Sequence, residues 1–235
     1  DADWTTELAT GTEDSSMNFG KRELRPHPLA KLIKVSAKLL RASVLNVEQI
    51  VIERLAYKMG VTQEKAFLTG TGAGQPLGVF TASADGISTG RDVSTGNTTT
   101  AIGADGLIEA KYSIKAGHWG RSVWVFHRDA VKSIRKLKDG NGQYLWMPGL
   151  TAGQPDRILE VPFYMSEYAP NTFQSGLYVG IIGNFWNYRI VDALDMQLQR
   201  LVERYAETNQ VGFIARTECD GAPVLEEAFA RVKLA

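Results

Sequence analysis

The sequence predicts an α+β protein, built as two lobes from interleaved chain segments, and two observations lead to this class. The first is a long stretch, 46–68, in which an apolar residue recurs at every fourth position: Val47, Val51, Leu55 and Met59. This spacing is typical of one apolar helix face. The second is a series of short apolar runs in the later half of the chain, each bounded by turn residues. No internal repeat is present.

Composition narrows the class of protein further. A chain of 235 residues can bury a sizeable core. It carries 26 Lys or Arg and 26 Asp or Glu, so no overall field attracts nucleic acid. Cys219 is the only cysteine, which excludes an intrachain disulfide and is consistent with a reducing cytoplasm. No run approaches the roughly 18 apolar residues of a membrane span.

The first 41 residues are divided by charge. Residues 1–20 carry five carboxylates and no Lys or Arg, whereas residues 21–41 carry seven Lys or Arg against Glu23. An acidic limb followed by a basic limb can fold back as a hairpin whose edges attract each other. Because apolar residues are scarce before Leu29, a solvated and partly disordered tail is the alternative that composition leaves open.

A strand and two helices are predicted next. The apolar run 29–35 indicates a strand, and Ser36 is placed to cap a short helix after it. Asn46 and Gln49 resemble the capping box that begins a helix. The helix predicted for 46–68 would be about 34 Å long at 1.5 Å per residue. A helix of this length with one apolar stripe requires a sheet behind it.

A glycine-rich segment, 69–78 with the sequence TGTGAGQPLG, follows the long helix. A phosphate-binding loop follows a strand and opens a helix, so that the helix N-terminus faces the anion. Here the order is reversed, Gln75 replaces the third glycine of G-x-G-x-x-G, and no Gly-Lys-Ser/Thr follows. We therefore interpret the segment as a structural corner and not as a nucleotide-binding loop.

The middle of the chain is predicted to alternate loops with short elements. The segment 81–103, rich in Ser, Thr, Gly and Asn, indicates a mobile loop, and 105–117 regains helical periodicity. A buried strand at 123–126 precedes a helix that Asp129 is expected to cap and that runs to Leu137.

Turns and strands account for the remainder. The sequence Asp-Gly-Asn-Gly at 139–142 is a strong turn signal. Apolar strands are predicted at 158–165, 177–182, 211–219 and 228–234. The last two are expected to flank a turn at 220–223, where the sequence is Asp-Gly-Ala-Pro.

Catalytic and metal-binding patterns are sparse. The three histidines, His27, His118 and His127, do not stand in any zinc-binding spacing. No G-x-S-x-G sequence supports a nucleophilic serine. His127 follows a buried strand and is expected to bond a backbone partner, and Cys219 is expected to be a buried structural thiol. We therefore assign no catalytic residue, cofactor or metal, and predict that the protein is not an enzyme.

Several segments, taken in order, resemble one protein family. The long helix followed by the Thr-Gly-x-Gly-x-Gln-Pro-x-Gly corner is similar to the major capsid protein of tailed bacteriophages and prophages, which has the Hong Kong 97 capsid fold. Further similar segments are 19–36, 123–137, 138–144, 158–166 and 213–224. The resemblance implies an extended β-hairpin loop (part of it in 1–31), a peripheral domain (32–104) with spine helix 46–68, an axial domain (105–190) and a return to the peripheral domain (191–235).

The resemblance also implies a function. The chain would be a structural subunit whose hexamers and pentamers close into an icosahedral shell around double-stranded DNA, without sequence-specific binding and without a membrane. Scaffold, protease and portal proteins would be further partners, with assembly in the cytoplasm of the bacterial host before the virion is complete. The alternatives are an encapsulin-like bacterial compartment and an enzyme that binds phosphate through Gly70–Gly78.

The charged limbs supply the predicted subunit-interface residues. These are Lys21, Arg22 and Arg25 on the basic limb, with Glu7, Glu13 and Asp14 on the acidic limb. Some members of the family join subunits by a lysine–asparagine isopeptide bond assisted by a glutamate. The matching positions here are Thr12, Ala206 and Phe213, with Lys21 and Asn209 as neighbouring alternatives. We therefore expect non-covalent contacts and single bands near 25.8 kDa on denaturing gels.

The chain opens with Asp1 and not with Met. We expect an upstream segment in the full-length protein, and we expect the 235-residue form to be a monomer or a small ring. The hairpin of residues 1–31 should be poorly protected from hydrogen exchange until a neighbour covers it.

Overall fold

The computed structural model describes residues 22–146 and 157–235, which form two β-sheets and four α-helices. The helices are α1 (Ala37–Ala42), α2 (Val47–Thr69), α3 (Ala104–Tyr112) and α4 (Arg128–Arg135). The strands are β1 (His27–Ser36), β2 (Asp92–Val93), β3 (Val123–Phe126), β4 (Arg157–Ile158), β5 (Val161–Met165), β6 (Tyr178–Gly183), β7 (Tyr188–Leu201), β8 (Gln210–Pro223) and β9 (Phe229–Lys233). The predicted α+β class is confirmed.

A three-stranded antiparallel sheet supports the long helix. Its order is β1-β8-β7, and β1 runs beside β8 from the pair His27–Cys219 to the pair Ser36–Gln210. The apolar stripe of α2 packs on this sheet, where Leu55 is fully buried beside Phe213 and Ala215. The sheet that the sequence required behind the helix is therefore present.

The ends of α2 lie within one residue of their predicted positions. Asn46 Oδ1 accepts a hydrogen bond from Gln49 N (3.2 Å), which satisfies one free N–H of the first turn. The Gln49 side chain donates to Glu53 Oε1 (3.0 Å). Only the Asn46 half of the capping box is therefore observed. The cap of α1 is as predicted, because Ser36 Oγ accepts from Lys38 N (3.3 Å).

A six-stranded mixed sheet forms the second core, in the order β2-β9-β6-β3-β5-β4. Strand β9, which lies between β2 and β6, is buried on both faces. Ala230 and Val232 pack in one apolar cluster with Trp124, whereas Phe229 packs in another with Ile181. Because β8 lies in the first sheet and β9 in the second, the last part of the chain contributes to both sheets.

The segment 81–103, predicted as a mobile loop, is instead attached to the second sheet. It contains a 3-10 turn (Thr89–Arg91) and strand β2, which pairs with β9. Ile87 is fully buried, and Arg91 donates hydrogen bonds to the carbonyl oxygens of Phe229 (3.0 Å) and Ser113 (3.0 Å). The small and polar residues of this segment gave no sign of these contacts in the sequence. The contacts could not be predicted, because Arg91 bonds backbone carbonyl groups of residues that are far away in the sequence.

The predicted turn at 220–223 is wrong. Strand β8 continues through these residues, which pair with Tyr188–Val191 of β7. A Cβ atom on Gly221 would lie 2.7 Å from the Tyr188 hydroxyl, so this glycine permits close packing and not a reversal of the chain.

Two further boundaries differ from the prediction. His127, not Asp129, is the N-cap of α4, because its Nδ1 accepts a hydrogen bond from Asp129 N (3.1 Å), and the helix ends at Arg135 before Leu137. The strand predicted at 158–165 is a hairpin of β4 and β5, whose turn residues Leu159 and Glu160 both have positive φ angles. Within the described residues, no helix is both long and apolar enough to cross a membrane.

Candidate subunit interface

The glycine-rich corner completes the C-terminal end of α2. The chain turns back after Pro76, so that Val79 N donates to Phe67 O (3.1 Å) and Phe80 N donates to Leu68 O (2.9 Å). These carbonyl groups belong to the last turn of a helix, which leaves them without partners inside the helix. The corner thus provides hydrogen-bond donors for the carbonyl groups at the C-terminal end of α2. This arrangement agrees with its interpretation as a structural corner.

Two glycines of the corner are required by close backbone contact. A Cβ atom on Gly70 would lie 2.2 Å from the carbonyl oxygen of Pro76, and one on Gly78 would lie 2.5 Å from that of Leu68. No side chain fits at such distances. The glycines at these two positions therefore allow neighbouring backbone segments to pack closely.

A polar cleft of about 460 Å³ lies between the corner, the basic limb and strand β8. Asp220, which is buried, accepts hydrogen bonds at its floor from Arg25 N (2.7 Å) and Gly221 N (2.8 Å). Leu77 N from the corner donates to Gly221 O (2.8 Å). The bond from Arg25 attaches the start of the described chain to strand β8, and the bond from Leu77 attaches the corner to the same strand.

Two of the six predicted interface residues lie in the described part of the chain, and both line this cleft. The Arg25 side chain is 82 % exposed and forms an ion pair with Glu23 (3.0 Å). Arg22 Nη1 donates to the carbonyl oxygen of Ala84 (3.4 Å) at an exposed position. Both guanidinium groups are therefore accessible to a neighbouring molecule. The other four predictions, Lys21, Glu7, Glu13 and Asp14, fall outside the described residues.

Exposed apolar side chains form a second kind of surface, which sequence reasoning missed. Helix α2 exposes Ile50 and Tyr57 on the side away from the three-stranded sheet, and Trp186 and Ile190 are also exposed. Ile50 and Tyr57 are seven residues apart and so lie on one face of α2, where a neighbour that covers this face would bury both. The sequence signal was present in α2, because Ile50 and Tyr57 stand outside the predicted stripe at helical spacing.

Of the side chains considered for chemistry, His127 and Cys219 are buried, whereas His27 and His118 are partly exposed. His127 is almost fully buried, and its bond to Asp129 N confirms the predicted backbone partner. Cys219 accepts a hydrogen bond from Gln63 Nε2 (3.5 Å), and burial raises the pKa of its thiol. Burial likewise raises the pKa of the Tyr188 hydroxyl, which donates to Leu77 O (3.0 Å). In the described ranges, no group of three or more His, Cys, Asp or Glu side chains could hold a metal ion.

The positions that correspond to the isopeptide bond offer no such chemistry where they are described. Ala206 lies in a 3-10 segment at the tip of the β7–β8 hairpin, and Phe213 is buried under α2. Asn209 has a left-handed backbone (φ 52°) and ends that 3-10 segment. Its placement at a tight turn is a structural role that asparagine commonly fills.

A family model described as Phage capsid family matches residues 1–234. The capsid of the native GTA particle is similar over 99 % of this chain and 80 % of that chain, with 25 % identity and a TM-score of 0.85. A search of curated proteins found no match.

Two more distant structures share the fold. A chain of Mycobacterium phage Bobi is similar over 100 % of this chain and 81 % of that chain, with 14 % identity and a TM-score of 0.69. The holo-SrpI encapsulin complex from Synechococcus elongatus is similar over 88 % of this chain and 73 % of that chain, with 13 % identity and a TM-score of 0.62.

Proposed function

Because the chain belongs to the phage capsid family and is a major capsid protein, we propose that its copies form hexamers and pentamers that close into an icosahedral shell around double-stranded DNA. The role is structural, and we propose that no catalysis accompanies it. Assembly would take place in the cytoplasm of the bacterial host, and scaffold, protease and portal proteins would be its other partners.

The observation that carries this proposal is the exposed apolar surface beside a rigid helix. A helix of 23 residues packed on a sheet is a rigid element. Burial of the apolar groups on its outer side against a neighbour is favourable, because it removes apolar surface from water. Each contact can be weak, since a shell repeats the same contact many times in parallel.

The domain layout is part of the same proposal. Residues 1–31 would include part of the extended loop, 32–104 would form the peripheral domain, 105–190 the axial domain, and 191–235 would return to the peripheral domain. The exposed guanidinium groups of Arg22 and Arg25 support a role for the basic limb in reaching a neighbour. The carboxylates of Glu7, Glu13 and Asp14 would be partners for such groups on adjacent subunits.

Electron microscopy and nucleic-acid content together test the proposal. We expect the full-length protein, isolated from the particles it forms, to give closed icosahedral shells that protect double-stranded DNA from nuclease. Shells that hold a cargo protein and no DNA would favour the encapsulin-like alternative. A protein that stays monomeric under all assembly conditions would contradict the proposed shell.

A further inference from the structure

The turn between α1 and α2 presents two aliphatic side chains to solvent, which we call the apolar tip. Val44 is fully exposed, and Leu45 is 69 % exposed. Backbone hydrogen bonds fix the turn on both sides, from Ser43 N to Leu39 O (3.1 Å) and from Val47 N to Leu45 O (2.9 Å). A single contact with another surface would cover both of these adjacent aliphatic side chains and remove their apolar area from water.

An apolar groove of about 570 Å³ lies between the second half of α2 and the six-stranded sheet, and we call it the α2 groove. Its lining includes Phe67 and Leu68 of α2, Val123 and Val125 of β3, and Tyr164 and Met165 of β5. Tyr164 and Met165 are 64 % and 62 % exposed. The volume of the groove is within the range of pockets that bind a drug-sized ligand, so the groove has room for two aliphatic side chains.

The tip and the groove lie at opposite ends of one helix. The tip directly precedes Val47, whereas the groove follows α2 from Gly60 to Leu68. At 1.5 Å per residue, these two surfaces are about 22–35 Å apart along the helix. A single copy therefore cannot place its own tip in its own groove, so a tip that enters this groove belongs to a second copy.

The edges of the three-stranded sheet favour such a side-chain contact over strand addition. Edge strand β1 contains Pro28, Lys31 and Lys34, and edge strand β7 has register shifts between Asp192 and Gln197. Proline, lysine and bulges at sheet edges are features that oppose pairing with another strand. Contacts between copies are therefore expected at surfaces formed by side chains.

The exposed charges of helix α1 and the charge on the rim of the groove have opposite sign, and Glu48, the carboxylate that follows the tip, is paired with Arg200 (3.7 Å). Helix α1, which leads into the tip, carries Lys38 and Arg41 at exposed positions. The rim of the groove carries Glu64, whose Oε1 accepts a hydrogen bond from Ser166 Oγ (2.6 Å). Nearby Glu167 already has a cationic partner in Arg128 (3.4 Å), so Glu64 is the rim carboxylate that the tip of a neighbour would approach.

We propose that the apolar tip of one copy inserts into the α2 groove of the next copy, a contact that rests on the proposed self-assembly. Because the two surfaces differ, the contact is heterologous, with one tip and one groove left free at the ends of any open chain of copies. Repetition of such a contact gives a ring if the rotation between copies closes. Residues 44 and 45 would thus link each subunit to its neighbour within a ring.

Site-directed disulfide formation tests the contact directly. In the full-length protein with Cys219→Ala, we expect oxidised assemblies of the double variant Val44→Cys and Met165→Cys to give a ladder of multimers on non-reducing gels. A mixture of the two single variants should stop at dimers, because each copy then has only one thiol. The matched control pairs Val44→Cys with Ile108→Cys, an exposed apolar position outside the groove.

A charge placed on the tip gives the second measurement. Leu45→Asp should raise the concentration needed for assembly at least about tenfold, because an aliphatic side chain no longer enters the groove. The melting temperature of the free subunit should stay unchanged, since Leu45 is exposed. Leu177→Asp, another exposed leucine away from both surfaces, is the matched control.

The outcomes separate this contact from the proposed shell. Normal shells from Leu45→Asp, or no 44–165 disulfide within shells, would overturn the contact and leave the shell function intact. Failure of the parent protein to associate at all would overturn both. Equal cross-linking of the Ile108→Cys control would show that the disulfide reports random collision, and the contact would then be rejected.

Discussion

At the scale of single residues, a buried ion pair between Asp92 and Arg231 connects the segment 81–103 to the six-stranded sheet. Arg231 is completely buried, and its Nε donates to Asp92 Oδ1 (2.8 Å) while its Nη2 donates to Ser88 O (2.6 Å). The Tyr178 hydroxyl donates to the other Asp92 oxygen (2.9 Å), and its ring lies 4.7 Å from the Arg231 guanidinium carbon. Removal of Asp92 would leave the Arg231 guanidinium group buried without a counter-charge, whereas Asp92 has a second cationic neighbour in Lys233 (3.6 Å).

Asp92→Ala should therefore lower the free energy of unfolding by about 3–5 kcal/mol, the usual cost of breaking a buried pair. Urea denaturation of the free subunit measures this change. The double variant Asp92→Ala with Arg231→Met should recover most of the loss, because no buried charge then remains. A single variant as stable as the parent would show that water reaches the guanidinium.

A second residue-scale prediction concerns pH. Hydrogen bonds from the Ser88 side chain and backbone lower the pKa of the Glu226 carboxyl below its ordinary value of 4.5. Because this pKa is lowered in the folded state, the ionised Glu226 carboxylate stabilises the folded protein. This stabilisation is complete above the pKa of the unfolded state and is lost as the pH falls through the pKa of the folded state.

Melting temperatures measured between about pH 3 and pH 7 test this linkage. We expect Glu226→Gln to melt below the parent at neutral pH, and the difference to disappear at the acidic end. Glu109→Gln, at an exposed position of α3, is the matched control. A difference that stays constant with pH would assign the effect to packing and not to ionisation.

At the scale of elements, the spine helix α2 and its corner use glycine in two different ways. Gly60 lies inside the helix with open space around its Cβ position, so nothing in the packing requires it. Gly70 lies where a Cβ atom would meet the backbone oxygens of Pro76 and Ala66 at 2.2 and 2.5 Å. The same substitution should therefore have opposite effects at the two positions.

We expect Gly60→Ala to stabilise the subunit by about 0.5–1 kcal/mol, because alanine has the higher helix propensity. Gly70→Ala should destabilise it, since the corner must open to admit the methyl group. Chemical denaturation of both variants under identical conditions makes the comparison. Equal effects at the two positions would mean that the corner is free to rearrange.

At the scale of the whole molecule, assembly depends on surfaces that contribute little to the stability of one subunit. We propose the basic limb as one such surface, because Arg25 is held to the body through its backbone N–H and not through its guanidinium group. Exposed ion pairs are each worth about 0–1 kcal/mol and are screened by salt. Their effect becomes large only when every subunit repeats them.

Replacing Lys21, Arg22 and Arg25 together by alanine should weaken assembly and reduce its dependence on salt, without lowering the melting temperature of the free subunit. Light scattering measures assembly at several salt concentrations, and calorimetry measures subunit stability. The backbone bond from Arg25 to Asp220 survives these substitutions. A clear loss of subunit stability would place the limb within the folded body, and unchanged assembly would remove it from the interface.

Elements whose signals are local could be predicted from the order of the amino acids alone. The period of four in 47–59 and the cap at Asn46 define α2, and the order of helix, glycines and apolar segment identifies a corner. The continuous strand through Gly221, the attachment of 81–103 by Arg91, and the burial of Arg231 depended on tertiary contacts, because each joins residues far apart in sequence. Likewise, the α2 groove is formed where α2 lies beside β3 and β5. Because these elements are far apart in the sequence, no local pattern of residues could predict the groove.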